Sequence, residues 1–365
     1  MNNYNKIIIG LVILILAFGL SVLYSVTYQR GQLFRDVFLD QLTWAGIGIF
    51  VLFLVSNINY RRFFDLAFFI YGLSIVFLLI VLLTGREILG ARRWVELFGL
   101  NFQPSEIAKL GIVLVLARIF SQRQSYARNY FSGTSFVQEL LIPILITLVP
   151  VGLIFLQPDL GTALLFIPVF FAMLIVGGAK IKYILSLFIL MILSVPVGWH
   201  FLKPYQKDRL MVFLNPNVDP LGAGYTVIQS KIAVGSGGFL GKGWLAGTQN
   251  QLNFLPERHT DFIFSVIGEE WGFLGAMLLL LLYAALIYYL LLIAFQSKDK
   301  FAKYLSSGFI ALLVSQIVIN ISMTIGICPV VGLCLPLISY GGSSMFIFLI
   351  FIAILLNINK KRIVF

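Results

Sequence analysis

The run Asn253-Phe254-Leu255-Pro256-Glu257-Arg258-His259-Thr260-Asp261-Phe262-Ile263-Phe264 sets ionisable and strongly polar groups against the mouth of a long apolar segment. A carboxylate held at such a boundary costs free energy, so Asp261 is a candidate for chemistry, that of a base where water meets an apolar phase. The plainer alternative is a helix cap, because Asp is favoured just before a first helical turn. Spacing alone leaves both readings open.

The elements around this run follow from composition. Hydrophobic residues make up 60% of the 365-residue chain and charged residues only 11%, against about 25% charged in soluble domains. The chain reads as an all-α polytopic membrane protein. A mostly apolar stretch of about 18 to 25 residues crosses a hydrocarbon core about 30 Å thick. Ten such stretches are read at about 7–28, 41–56, 64–83, 105–120, 139–156, 161–178, 182–202, 262–295, 304–327 and 343–358, the second, fourth and tenth being short. The first is longer than the apolar core of a secretion signal, and no small-residue cleavage site follows, so it is expected to be retained as a helix. One membrane domain over residues 1–365 is expected, with a long connection at 203–261.

Orientation follows from Lys and Arg. With a cytoplasmic N-terminus, 13 of them fall in the short inner segments, from Lys6, Arg61 and Arg62 through to Lys360, Lys361 and Arg362. The short outer loops hold 5: Arg30, Arg35, Arg86, Arg92 and Arg93. The positive-inside rule then puts both termini in the cytoplasm and Asp261 on the outer face, where the 203–261 connection between spans 7 and 8 becomes a large extracytoplasmic loop. The formal charge of +11 is not arranged as a basic stripe with interleaved aromatics, so nucleic acid is not an expected partner. Cys328 and Cys334 lie among apolar residues and read as small buried hydrophobes, although an oxidising compartment would permit a disulfide. His200 and His259 stand too far apart for ligand spacing, and no metal site is expected from Cys or His.

Four stretches on the predicted outer side break the apolar pattern. The first is Leu89-Gly90-Ala91-Arg92-Arg93-Trp94, followed by Phe102-Gln103-Pro104-Ser105-Glu106-Ile107-Ala108-Lys109. Glu106 and Lys109, at i and i+3, can neutralise each other just inside the membrane, whereas Arg92 and Arg93 offer guanidinium forks that suit phosphate oxygens or snorkel beside Trp94. The second is Gln157-Pro158-Asp159-Leu160-Gly161-Thr162, a turn in which Asp159 could cap the next helix. The third is the 203–261 connection with its glycines between Gly235 and Gly243 and a short amphipathic helix at 225–234, Gln229 and Lys231 set against Val227, Ile228 and Ile232. Those glycines permit close backbone approach to a ligand or are ordinary loop material; no P-loop pattern is present. The fourth, Pro329 to Ser344, is apolar but broken by prolines and glycines, so 328–343 is expected to be partly re-entrant and to wall a cavity.

Together these motifs carry a family resemblance. Gly-Ala-Arg-Arg-Trp at 90–94, Gln-Pro-Ser-Glu-Ile-Ala-Lys at 103–109, Gln-Pro-Asp-Leu-Gly-Thr at 157–162, Asp-Pro-Leu-Gly-Ala-Gly-Tyr at 219–225, Gly-Lys-Gly-Trp-Leu-Ala-Gly-Thr-Gln at 241–249, Leu-Pro-Glu-Arg-His-Thr-Asp-Phe-Ile-Phe at 255–264 and Leu-Pro-Leu-Ile-Ser-Tyr-Gly-Gly-Ser at 335–343 resemble the SEDS family (shape, elongation, division and sporulation) over nearly the whole chain. The Gly-Thr-Gln and Glu-Arg-His-Thr-Asp forms are similar to its rod-shape branch rather than its division branch.

The resemblance implies a ten-helix peptidoglycan glycosyltransferase of the bacterial cytoplasmic membrane. It would polymerise lipid II at the outer leaflet for cell elongation, with a class B penicillin-binding protein as transpeptidase partner. It implies Asp261 as the essential acidic residue and Arg93, Lys109, Glu106, Lys231, Asp159, Lys242 and Arg258 as groups that meet substrate. A hydroxyl must lose a proton as it attacks, and the departing pyrophosphate needs cationic side chains or a divalent cation such as Mg or Mn, for which the sequence assigns no ligands. Two other classes remain in view: a transporter that flips lipid II, and a scaffold that only holds a penicillin-binding protein. Charges gathered on one face, without an inverted repeat, argue against the first, and the second leaves the Asp261 run unexplained.

Overall fold

The computed structural model describes residues 3–28, 32–88, 91–97, 100–129, 140–215, 218–220 and 222–362. Leu89, Gly90, Pro216, Asn217 and Leu221 of the motifs above lie outside these residues, as does the side chain of Arg92. The chain is almost entirely helical: α1 (Asn3–Thr27), α2 (Gln32–Asn57), α3 (Arg61–Thr84), α4 (Pro104–Asn129), α5 (Ile142–Leu156), α6 (Leu160–Val176), α7 (Ile181–Phe201), α8 (Pro204–Leu214), α9 (Ala223–Ser236), α10 (Thr248–Gln251), α11 (Ile263–Gln296), α12 (Lys300–Thr324) and α13 (Gly342–Arg362). Each of the ten apolar stretches read from the sequence falls on a helix. Among the described residues seven helices are long and apolar enough to cross a membrane. Of the others, α5 and α6 have 15 and 17 residues, and α4 carries Glu106, Lys109 and Arg118 in its apolar stretch.

A helix that is apolar all round must be surrounded on all sides, and α4 and α13 fill that role. Ala108 to Ala117 of α4 and Phe351 to Asn359 of α13 are continuously buried. Around them α3 packs on α4, α2 on α13, and α12 on α6, α11 and α4. By contrast α7 has no buried residue. Helix association in lipid rests on close van der Waals contact, which small residues permit. Gly19 of α1 is one case: a Cβ there would stand 2.8 Å from the Cα of Ile338.

Three features depart from the sequence reading. The strands β1 (Arg86–Ile88), β2 (Ala91–Leu97) and β3 (Leu100–Phe102) form an antiparallel sheet in the order β1-β2-β3, where only helices and loops are expected. Arg86 pairs with Trp94 and Val95 with Phe102. The strands are short and lack clean alternation, which hid them; pairing satisfies backbone groups that a loop there would leave to water. Second, the 203–261 connection holds α8, α9 and α10. Its predicted amphipathic helix exists as α9, but Val227, Ser230 and Ala233 face inward while Ile232 is exposed. The Ser230 hydroxyl donates to the Thr324 carbonyl at 2.6 Å and meets the Ser265 hydroxyl at 2.7 Å, which turns the small polar side toward α11 and α12.

Third, α11 is broken at Gly272, where φ is 62° and ψ is −159°. The amides freed by the break are taken up by the glycine stretch: Phe273 donates to Gly238 at 2.9 Å and Leu274 to Phe239 at 3.1 Å. In return Lys242 and Gly243 donate from their backbones to the carbonyls of Glu269 and Glu270, each at 3.0 Å. The close approach that those glycines permit is therefore to another backbone, since any Cβ on Gly237 or Gly241 would collide with carbonyls of α11. Between α12 and α13 the chain from Ile325 to Gly341 is not helical, and its residues Leu335 to Ser339 are all buried.

Candidate functional site

Asp261 sits in a tight turn whose backbone is held carbonyl by carbonyl. Its own amide donates to Glu257 at 3.1 Å. The carbonyl of His259 accepts from the Tyr340 amide at 2.8 Å, that of Thr260 from the Ser339 hydroxyl at 2.5 Å, and that of Asp261 from Asn320 Nδ2 at 3.0 Å. The broken 325–341 segment and α12 thus grip three successive residues. The helix cap that was the plainer alternative for Asp261 is not formed: the residue preceding α11 is Phe262, and no side chain caps that helix. The Asp261 carboxylate takes no hydrogen bond from the described residues.

Two guanidinium groups act on that carboxylate electrostatically, Arg209 more strongly than Arg93. Gly332 lies beside the carboxylate, and a Cβ built there would stand 3.5 Å from Asp261 Oδ2 and 3.9 Å from Arg209 Nη1. Burial pushes the Asp261 carboxyl up from 3.8 to about 6; Arg209 and Arg93 pull it down, while Glu257 and Asp159 push it further up. Desolvation therefore outweighs the two cations. Arg209 comes from α8 and donates to the Val330 carbonyl at 3.3 Å, with its guanidinium 5.9 Å from the Tyr205 ring centre. Arg93, Pro158, Tyr205, Arg209, Val330 and Val331 line a common crevice.

Sheet and loop carry the rest. Arg93 on β2 donates to the carbonyls of Gln157 and Pro158 and lies 3.8 Å from Asp159 Oδ1. Asp159 caps α6 by accepting from the Thr162 amide at 3.3 Å, as its place in the turn predicts, and also accepts from Gln103 Nε2 at 3.0 Å. Glu106 and Lys109 form a buried pair at 2.7 Å. Lys109 donates on to Gln316 Oε1 at 3.2 Å, and Gln316 Nε2 donates to the Cys334 carbonyl at 2.8 Å, so the pair is tied to the broken segment. Cys328 and Cys334 are free thiols.

Asp261, Arg93 and Asp159 are thus brought together, with Glu106 and Lys109 behind them. The other three candidates go elsewhere. Lys242 binds Glu269 at 2.7 Å and Thr248 at 2.8 Å. Arg258 is buried and donates to Asn250 O and Asn253 Oδ1, both at 2.6 Å, which braces the turn at 250–253. Lys231 is exposed on α9 with its side chain against Gly326. Sequence reasoning missed Arg209, Asn320, Gln316 and Glu257. A signal existed for Arg209: with Tyr205 it stands at i and i+4 on one face of a short helix.

Among the described residues no group of three or more His, Cys, Asp or Glu side chains could hold a metal. Mg²⁺, however, commonly binds through one or two carboxylates together with substrate phosphates. Asp261, with its unbonded carboxylate, and neighbouring Glu257 fit such a shared cation.

The family model for FtsW, RodA and SpoVE, described as "Cell cycle protein", matches residues 5–363. The peptidoglycan glycosyltransferase MrdB of Escherichia coli (strain K12) is 38% identical over 318 residues, which span 87% of this chain and 84% of that protein. The peptidoglycan glycosyltransferase RodA of Treponema pallidum is 30% identical, covering 99% of both chains. A probable peptidoglycan glycosyltransferase FtsW of Trichlorobacter lovleyi is 35% identical, over 98% of this chain and 93% of its own. Among solved structures, one described as a peptidoglycan synthase complex that coordinates polymerization and crosslinking superposes with a TM-score of 0.81 at 38% identity, covering 97% of both chains. The Thermus thermophilus rod shape determining protein RodA gives 0.71 at 32%, covering 97% of this chain and 96% of its own. Matches of this extent in sequence and in fold establish the family: the chain belongs to the FtsW, RodA and SpoVE family of cell cycle proteins.

Proposed function

We propose that the chain is a peptidoglycan glycosyltransferase, as its relatives are named, and that it polymerises lipid II with Asp261 as general base. One observation carries this reading: an unbonded carboxylate, pushed up to about 6 and held on a pinned backbone, stands opposite Arg209 and Arg93. A base works best with a pKa near the operating pH. In the reaction the 4-hydroxyl oxygen of one lipid-linked disaccharide bonds to the anomeric carbon of another. The bond from that carbon to the pyrophosphate oxygen breaks, the hydroxyl proton passes to Asp261, and undecaprenyl pyrophosphate leaves. Arg209 and Arg93 meet the negative charge that develops on the leaving group, where a guanidinium fork matches phosphate oxygens. A divalent cation, Mg²⁺ or Mn²⁺, shared between Asp261, Glu257 and the pyrophosphate, would neutralise part of that charge. Glu106 and Lys109 act from behind by holding the broken segment through Gln316.

The chain sits in this reading in the bacterial cytoplasmic membrane with ten spans, both termini inside and Asp261 outside. The distribution of Lys and Arg supports that orientation. A reporter fused after Phe239 then reads as extracytoplasmic and one after Lys300 as cytoplasmic; the reverse would sink it. The synthase complex among the similar structures supports a class B penicillin-binding protein as partner. The deciding experiment supplies lipid II to purified protein in liposomes, with and without its transpeptidase. Glycan polymer separates a polymerase from a flippase, which would move lipid II without joining it, and from a scaffold, which would do neither.

A further inference from the structure

At its break α11 carries two adjacent carboxylates, Glu269 and Glu270, that the Asp261 chemistry does not use. Both are buried, at 0% and 1% exposure. Glu269 Oε1 accepts from Lys242 Nζ at 2.7 Å, Thr248 Oγ1 at 3.0 Å and the Gln249 amide at 3.0 Å. Glu270 Oε1 accepts from Ser25 Oγ at 2.6 Å and Asn250 Nδ2 at 3.3 Å. A Cβ built on Gly247 would stand 3.0 Å from Glu269 Oε2 and 3.1 Å from Glu270 Oε1, so the two carboxylates flank one point of backbone.

The donors run out there. Oε2 of Glu269, Oε2 of Glu270, Oδ1 of Asn250 and Oε1 of Gln249 are all buried and accept nothing from the described residues, while a single unpaired donor, Trp271 Nε1, lies in the same stretch. Asn250 is 2% exposed, and its amide is turned onto Glu270. Buried polar atoms are almost always satisfied, so several orphaned acceptors in one place call for a positive group. Charge points the same way: among the described residues the ion pair that meets these two carboxylates is Lys242 with Glu269, and Glu270 has no ion pair of its own. The backbone adds to it: the helical half Ile263–Trp271 ends at the Gly272 break, and helix C-termini carry partial negative charge.

Carboxylate and amide oxygens are hard ligands that select hard cations. A monovalent ion neutralises the single excess charge, whereas a divalent ion would reverse it. Ends of broken membrane helices provide such sodium sites in transporters. We propose that Glu269, Glu270, Asn250 and Gln249 hold a sodium-class monovalent cation that fastens the 241–251 segment to the break in α11. The ion would also steady the turn at 250–253 that Arg258 braces, a short distance in sequence from Asp261.

The test uses the full chain in detergent micelles and ²²Na⁺ in a scintillation proximity assay. The expected result is saturable binding of one ion per chain, displaced by unlabelled Na⁺ and not by choline. The unfolding temperature should rise as NaCl replaces choline chloride at constant ionic strength. E270Q keeps the side-chain size and the Lys242–Glu269 pair but removes the excess charge. It should fold in choline at least as stably as the parent and lose both ²²Na⁺ binding and the response to NaCl. Absence of saturable ²²Na⁺ binding by the parent overturns the proposal, and a proton on Glu270 would produce that outcome. Undiminished binding by E270Q, or displacement of ²²Na⁺ by Mg²⁺ at lower concentration than by Na⁺, overturns it as well. Should E270Q not fold, Asn250→Ala replaces it: weakened ²²Na⁺ binding supports the site, and unchanged binding overturns it.

Discussion

Asn320 donates from one amide nitrogen to the Asp261 carbonyl at 3.0 Å and to the Leu333 carbonyl at 2.6 Å. A single buried side chain on α12 therefore ties the turn that carries the carboxylate to the broken segment opposite it. Asn320→Leu, similar in size, leaves two carbonyls without that donor and should cost about 1–3 kcal/mol. Turnover with lipid II should fall more than the substrate affinity, because the carboxylate shifts while the crevice remains. Thermal unfolding and steady-state kinetics check both; unchanged turnover would remove Asn320 from the site.

Asp261→Asn should fold, bind its partner and make almost no glycan, a loss of about 10²-fold or more for a positioned base. Capping cannot confuse the result, since Asp261 caps nothing. The sign for stability is favourable. A carboxyl raised from 3.8 to about 6 contributes stability below about 4 that is lost as pH rises through 6, and Asn undergoes no such loss. At pH 8 the variant should therefore unfold no earlier than the parent. Polymer formation near the parental rate would end the case for Asp261 as base.

The rate should depend on the ionised form, so it climbs with pH and levels off above about 6. Arg209 holds that midpoint down. Arg209→Gln should move it to higher pH as well as weaken lipid II binding. A pH–rate profile reads the shift, and a midpoint that moved to lower pH would refute the electrostatic account of the site.

Glu106→Ala leaves the Lys109 ammonium buried with Gln316 as its one remaining partner among the described residues. Breaking a buried pair this way costs about 3–5 kcal/mol. The double variant Glu106→Gln with Lys109→Met should regain folded protein, measured by detergent-solubilised yield and unfolding temperature. Equal loss in single and double variants would mean that more than pairing is at stake, whereas full activity in the double variant would show that neither residue serves the substrate.

Gly332→Ala tests the space beside Asp261 and Arg209. Gly332 has φ of 73°, which disfavours any side chain, and a methyl group there would lie in van der Waals contact with Asp261 and Arg209. Activity should drop while the helical content measured by circular dichroism stays unchanged. A fully active variant would mean that the substrate does not use the space over Gly332.

Much of this protein is legible in the chain because a bilayer is a demanding solvent. Every backbone group must be satisfied within a helix, so apolar length reads directly as a helix, and each stretch picked out by hydrophobicity falls on one. The same reasoning picks out Asp261, because a carboxylate at such a boundary costs free energy. Local rules also place Asp159 as the cap of α6, where bond and residue lie three positions apart. Long-range partners leave no such trace. Lys242 and Arg93 look alike as cations in glycine-rich or turn-rich sequence, yet one is consumed by Glu269 and the other stands at the crevice.

By itself the sequence determined a helical membrane protein, an acidic residue at one face and the motifs that group it with a family, since composition and short spacings carry those signals. The tertiary structure alone decided which charges meet. Arg209 and Asp261 come together beside Gly332, and Asn320 grips the Asp261 backbone from α12. The glycines at 237–241 serve the break in α11, and Glu269 with Glu270 gathers donors from α1 and from residues 248–250. The reason is physical: the energy of a buried charge depends on what surrounds it within a few ångströms, and those neighbours come from helices far apart along the chain.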